Sequence, residues 1–143
     1  MKKQRILTII FMVYLLILLR MTVFRPNMSL ERLFSGTVNA RLFREYIPLL
    51  RHGYWLRSLY LFGGNIVCFM PFGMYLQWKK QWKLKTIAVM GLFFSLCIEA
   101  MQYVLGTGVS ELDDLILNTL GAVIGAWGVR RWLRRRCKRK TAG

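Results

Sequence analysis

Four apolar runs of roughly 19–20 residues dominate this chain, each long enough to cross a ~30 Å hydrocarbon layer as a helix. They run from Ile6 to about Phe24, from Leu59 to Trp78, from Thr86 to Leu105 and from Leu115 to Leu133. Four such runs in 143 residues leave little chain to form a soluble shell. A backbone in lipid must satisfy its own polar groups, so runs of this length are helical. The expectation is an all-α fold: a multi-pass membrane helix bundle of about four transmembrane helices. It forms a single domain over residues 1–143, with a basic tail at 134–143.

The charges fit that architecture. There are 22 Lys and Arg against 6 Asp and Glu, a net charge of +16, yet the mean hydropathy is +0.36. Such a charge could serve nucleic acid. Here the cations flank the apolar runs instead of interleaving with a globular pattern, which argues against a nucleic-acid partner. Lys2, Lys3 and Arg5 open the chain, Lys79, Lys80, Lys83 and Lys85 fill the short second loop, and eight more follow from Arg130. The remaining seven all lie in the first loop, from Arg20 to Arg57, and the third loop has none. The positive-inside rule then makes both termini cytoplasmic and turns the first and third loops outward. The N-terminal run has a basic start but no small-x-small cleavage site after it, so it reads as an uncleaved anchor.

Three cysteines do not make a disulfide framework. Cys68 and Cys97 sit in apolar runs and Cys137 in the basic tail, as packing residues and a tail thiol. A single histidine, His52, excludes a His/Cys metal site and disfavours triad hydrolases; no cofactor is expected. The first loop carries Phe34, Phe43, Tyr46, Ile47, Tyr54 and Trp55 among its arginines. Either an amphipathic segment on the outer membrane surface or an ordered loop over the bundle would look like this.

Polar residues inside the spans are costly and usually face the bundle interior. Arg20, Asn65, Glu99 and Asn118 come from four different spans, yet counting ~1.5 Å per residue puts all of them roughly 5–9 Å from the outer boundary. Gln102 shares a helix face with Glu99, three residues away. These residues form an interhelical clamp or a binding and proton-handling site, with Arg20 a candidate partner for the Glu99 carboxyl. In the third loop, Ser110 followed by Asp113 fits an N-cap with an acidic residue at N3, and the Glu111, Asp113 and Asp114 carboxylates favour a helix start. Glu111, Asp114 and Glu99 could together hold a cationic ligand. Pro71 interrupts the second span and frees the carbonyl of Val67. Gly121-x-x-x-Gly125 gives the fourth span a small-residue packing face.

Three ordered blocks resemble the VanZ-like family of integral membrane proteins. They are Asn65-Ile-Val-Cys-Phe69-Met-Pro71-Phe72-Gly73, then Glu99-Ala-Met-Gln102, then Glu111-Leu-Asp113-Asp114-Leu-Ile-Leu-Asn118-Thr119-Leu-Gly121-Ala-Val-Ile-Gly125. Ile47-Pro48-Leu49 also looks like the family's proline-containing patch in the first loop. The resemblance spans roughly residues 10–130. It departs from the family pattern at Glu111, where Asp is commoner, and at Thr107-Gly108-Val109, where many members carry an Arg. The resemblance implies a multi-pass protein of a bacterial, Gram-positive cell membrane, in a family whose founding member is associated with resistance to teicoplanin, a lipid-bearing glycopeptide.

Three functions follow from these readings. The first is a non-enzymatic factor that limits access of lipid-anchored antibiotics to the outer leaflet, with membrane lipids or amphiphilic lipoglycopeptides as partners. The second is a membrane-embedded enzyme acting on a lipid or cell-wall precursor, with Glu99 as acid/base. The third is a small transporter using Glu99 and the Pro71 kink, oligomerising through the Gly121–Gly125 face. The functional cluster expected from sequence is Asn65, Pro71, Glu99, Gln102, Glu111, Asp113, Asp114 and Asn118.

Overall fold

The computed structural model describes residues 2–24, 33–43 and 46–141. The first-loop cations Arg25, Arg32 and Arg44 fall outside these residues, as does the side chain of Lys140. Four long helices account for most of the chain: α1 (Lys2–Thr22), α3 (Trp55–Lys80), α4 (Leu84–Leu105) and α5 (Leu112–Thr141). Each is long and apolar enough to cross a membrane. Between α1 and α3 lie a three-residue strand, β1 (Thr37–Asn39), and a short helix, α2 (Tyr46–Arg51). A second short strand, β2 (Val109–Glu111), precedes α5. Helix α3 starts four residues before the expected span, and α5 continues through the basic tail.

Alternation of helix direction creates two ends. The basic end holds the start of α1, the end of α5 and the α3–α4 turn; there the Thr8 and Tyr75 hydroxyls lie 3.2 Å apart and the Trp78 and Trp132 rings 5.4 Å apart. The loop end holds β1, α2 and β2. At the basic-end turn, Gln81 adopts φ 50° and its N–H returns to the carbonyl of Gln77, closing the helix in a left-handed cap.

Helices α3 and α5 make the most extensive packing in the bundle. Small residues permit it. A Cβ on Gly121 would lie 2.2 Å from the Ile66 carbonyl oxygen, one on Gly125 2.1 Å from that of Met70, and one on Gly73 1.7 Å from that of Ala122. Within lipid, helices associate through such close backbone approach. The Gly121–Gly125 face is therefore filled by α3 of the same chain, which removes it as the dimer face considered above.

Two apolar clusters complete the interior: Leu18, Val23, Phe69 and Ile98, and Phe72, Ile87, Ala122 and Ala126. The Phe72 and Phe94 rings stack at 4.9 Å between α3 and α4. Helix α1 buries only Leu18 and exposes Ile6, Ile9, Ile10, Met12, Leu16, Ile17 and Met21. A large apolar surface facing outward is unstable in water and normal against lipid.

Pro71 lies inside a continuous α3. The Tyr14 hydroxyl on α1 donates to the carbonyl of Cys68 at 2.6 Å. The sequence argument pointed to the adjacent carbonyl, that of Val67. A neighbouring helix supplying a donor near a membrane proline is the usual accommodation.

Candidate functional site

The described residues 33–43 of the first loop are tied to the bundle. Strands β1 and β2 pair in parallel, with Thr37 opposite Val109, Val38 opposite Ser110 and Asn39 opposite Glu111. The N–H groups of Phe34 and Gly36 donate to the carbonyls of Val104 (2.8 Å) and Tyr103 (3.2 Å) at the end of α4. A Cβ on Gly36 would meet the Tyr103 carbonyl oxygen at 2.4 Å, so glycine is required at that approach. Further along, both carboxylate oxygens of Asp113 accept the N–H of Phe43, at 3.0 and 2.8 Å. Phe43 has φ 55°, a costly conformation for a bulky side chain. The buried carboxylate holds it there.

Ser110 does not cap α5. It is in β2, and its hydroxyl donates to the carbonyl of Glu99 at 2.8 Å. Glu99 is buried, and its Oε2 accepts the N–H of Glu111 at 2.9 Å. Glu111 in turn accepts the Asn39 amide at 3.2 Å. Thus α4, β2 and β1 are cross-braced through two carboxylates, those of Glu99 and Glu111.

The other polar residues pair separately. The Asn65 amide on α3 donates to Asp114 on α5. The Asn118 amide donates to the Ser95 hydroxyl at 2.9 Å. Gln102 donates to the carbonyl of Thr22 at 3.1 Å, joining α4 to α1. The expected cluster is therefore a set of braces at the loop end, each between two elements. Arg20 does not pair with Glu99; its guanidinium donates to the carbonyl of Phe24, in the turn that follows α1. Pro71 is not in this group: it borders a separate apolar pocket with Phe11 and Tyr14 of α1. Among the described residues no three His, Cys, Asp or Glu are grouped to hold a metal ion, so the three-carboxylate cation site does not form.

A cavity touches the Glu99 end of this network. A cleft of about 340 Å³ lies between the strand pair and the ends of α4 and α5, walled by Val38, Leu96, Ala100, Tyr103, Leu112 and Leu115. Its polar rim is Asn39, Glu99, Ser110 and Glu111. Oε2 of Glu99 is committed to β2, while Oε1 has no hydrogen-bond partner among the described residues. An almost wholly apolar trough with the Glu99 carboxylate in its lining suits an amphiphile with a donor near its polar head.

The profile of the VanZ/LLP1 family matches residues 11–134, nearly the whole chain. The chain belongs to the VanZ/LLP1 family. No curated protein and no solved structure matches it. The matched VanZ/LLP1 region takes in α3 and α4 whole, most of α1 and α5, and the loop-end network. The VanZ-like blocks read from sequence place Asn65, Glu99, Asp113, Asp114 and Asn118 on facing elements of that network, and Gly121 and Gly125 at the α3–α5 crossing. Sequence reasoning missed Ser95, Asn39 and the β1–β2 pairing. Ser95 was detectable, since it precedes Glu99 by four residues and shares its helix face. Strands of three residues carry too little alternation to detect.

Proposed function

We propose that this multi-pass VanZ/LLP1 protein is a non-enzymatic membrane factor that limits access of lipid-bearing glycopeptides, such as teicoplanin, to the outer leaflet. The spare Glu99 acceptor at the head of the apolar cleft carries the reading. The charge asymmetry supports an outward loop end, since fifteen of the 22 cations stand at the basic end. The cleft then opens at the level of the outer leaflet. Acyl chains of an amphiphile fit its walls, and amide or hydroxyl donors of the head group fit Glu99.

Glu99→Gln separates the two jobs of this residue. The Gln oxygen still accepts the Glu111 N–H, so the brace survives, while an NH₂ replaces the spare acceptor in the cleft. The test expresses wild type and variant at equal levels in a sensitive Gram-positive host and compares teicoplanin with vancomycin. Protection against teicoplanin alone, lost in Glu99→Gln, is the expected result. Protection retained by the variant reduces Glu99 to a brace, and no protection by wild type removes the proposal. A buried carboxylate on a cleft also suits general acid chemistry on a lipid or cell-wall precursor. In that case deletion changes the membrane lipid or precursor profile, which the non-enzymatic reading does not predict.

A further inference from the structure

A second cavity at the loop end lies away from Glu99. It occupies about 520 Å³ between α2 and the first turns of α3, within the range of small-molecule sites. Tyr46, Ile47 and Leu50 of α2 form one wall, and Ser58, Leu59 and Phe62 of α3 form the other. On α3 the lining residues recur at helical spacing, so one face of the helix forms the trough. Ser58 is only 5% exposed, and its hydroxyl has no hydrogen-bond partner among the described residues. A buried unpaired hydroxyl is unfavourable, and this one borders an apolar trough. The pairing calls for a long apolar ligand that brings its own acceptor, as the ester carbonyl of an acyl chain does.

Two further observations select the ligand. Leu56, Leu59 and Tyr60 are strongly exposed on the same first turns of α3, which puts the groove against lipid. Residues 33–43 and 46–65 contain Arg41, Arg51 and Arg57, and these three cations outnumber the one carboxylate bound at the groove, that of Asp113 on the Phe43 N–H. Arg51 directly follows the lining Leu50 at the end of α2, and Arg41 stands two residues before the lining Phe43. The local charge is complementary to a phosphate.

We propose that the α2–α3 groove binds one anionic phospholipid, with its acyl chain in the trough, an ester carbonyl accepting the Ser58 hydroxyl, and its phosphate toward Arg41 and Arg51. The site shares no residue with the Glu99 cleft. Its occupant is a bilayer lipid that fixes α2, not the amphiphile of the proposed function.

The test uses native mass spectrometry of the full-length protein released from detergent, with phosphatidylglycerol and phosphatidylcholine of identical chains supplied equally. One phosphatidylglycerol per chain is retained in preference. Ser58→Ala weakens retention about 2- to 10-fold, the worth of one hydrogen bond, and Ile47→Trp, which fills the trough, abolishes it. Ser58→Ala also discriminates independently of folding. Without added lipid it melts no lower than wild type, because an unpaired hydroxyl is gone, and it gains less from phosphatidylglycerol. Neutralising Arg134, Arg135 and Arg136 to Gln leaves retention intact. Equal retention of the two lipids overturns the proposal. So does retention unchanged in both groove variants, or retention lost only when the basic tail is neutralised.

Discussion

The α3–α5 crossing makes a quantitative prediction. Ala at Gly121 puts a Cβ 2.2 Å from the Ile66 carbonyl oxygen, and ordinary van der Waals contact begins at 3.4 Å. The helices must separate locally by about 1.2 Å, and backbone on both sides leaves no flexible side chain to yield. Overpacking of this kind typically costs about 1–3 kcal/mol. Gly→Ala in a helix also gains up to ~1 kcal/mol in propensity, which would mask part of the loss. Gly64 supplies the control, since nothing lies within 4 Å of its would-be Cβ. Subtracting Gly64→Ala from Gly121→Ala cancels the propensity and leaves the crossing cost, about 1–3 kcal/mol. Gly125 lies one turn on, against Met70, so one separation relieves both clashes. The Gly121→Ala/Gly125→Ala double variant should then cost less than the two singles added. Reversible SDS unfolding in mixed micelles measures all four proteins. A Gly121→Ala protein within ~0.5 kcal/mol of Gly64→Ala, the usual span of neutral changes, would refute the packing argument.

Other expectations follow from the braces. Asp113→Ala releases the Phe43 N–H from a charged acceptor worth about 1.5–3 kcal/mol; amide exchange should accelerate at Phe43 and through α2, and unchanged protection there counts against the brace. The Ser95–Asn118 pair should show a modest coupling in a double-mutant cycle with Ala, about 0.6 and at most ~1.7 kcal/mol, read by the same SDS titration; zero coupling means the pair is not formed. Tyr14→Phe removes the donor to the Cys68 carbonyl and should cost about 0.5–1.5 kcal/mol in the same SDS titration; unchanged stability means that the α1–α3 bond is not formed.

The four long helices were legible because hydropathy over twenty residues is a strong signal, and the depth argument gathered Arg20, Asn65, Glu99 and Asn118 at one end, with Gln102 added by its helix face. It could not say which residue meets which. Rotation about each helix axis decides that, and the small residues at 73, 121 and 125 set it by allowing α3 and α5 to interlock. Ser110 shows a different limit. The Ser-x-x-Asp spacing of a capping box was present, yet pairing with β1 made Ser110 a strand residue and moved the start of α5 to Leu112. A partner more than seventy residues away overrode the local motif. Arg20 was misassigned for a related reason: a long flexible guanidinium found a backbone carbonyl within its own turn before any carboxylate.

The pairing pattern also narrows where chemistry can occur. Asn65, Asp113 and Gln102 each give a side-chain group to holding two elements together, and a group committed in that way cannot turn to a ligand without loosening the loop end. Gln102 and Asn118 also keep an unpaired side-chain oxygen, but neither lines the cleft; Glu99 does, with Oε2 fixing β2. The brace is what positions the spare acceptor, because a carboxylate free to rotate would present no fixed acceptor to a ligand. On the proposed function, replacing Glu99 by Ala should lose stability and ligand recognition together, while Gln should lose only recognition. Ala and Gln variants with equal stability would mean that Oε2 carries no structural load, and the cleft would then have no preorganised head.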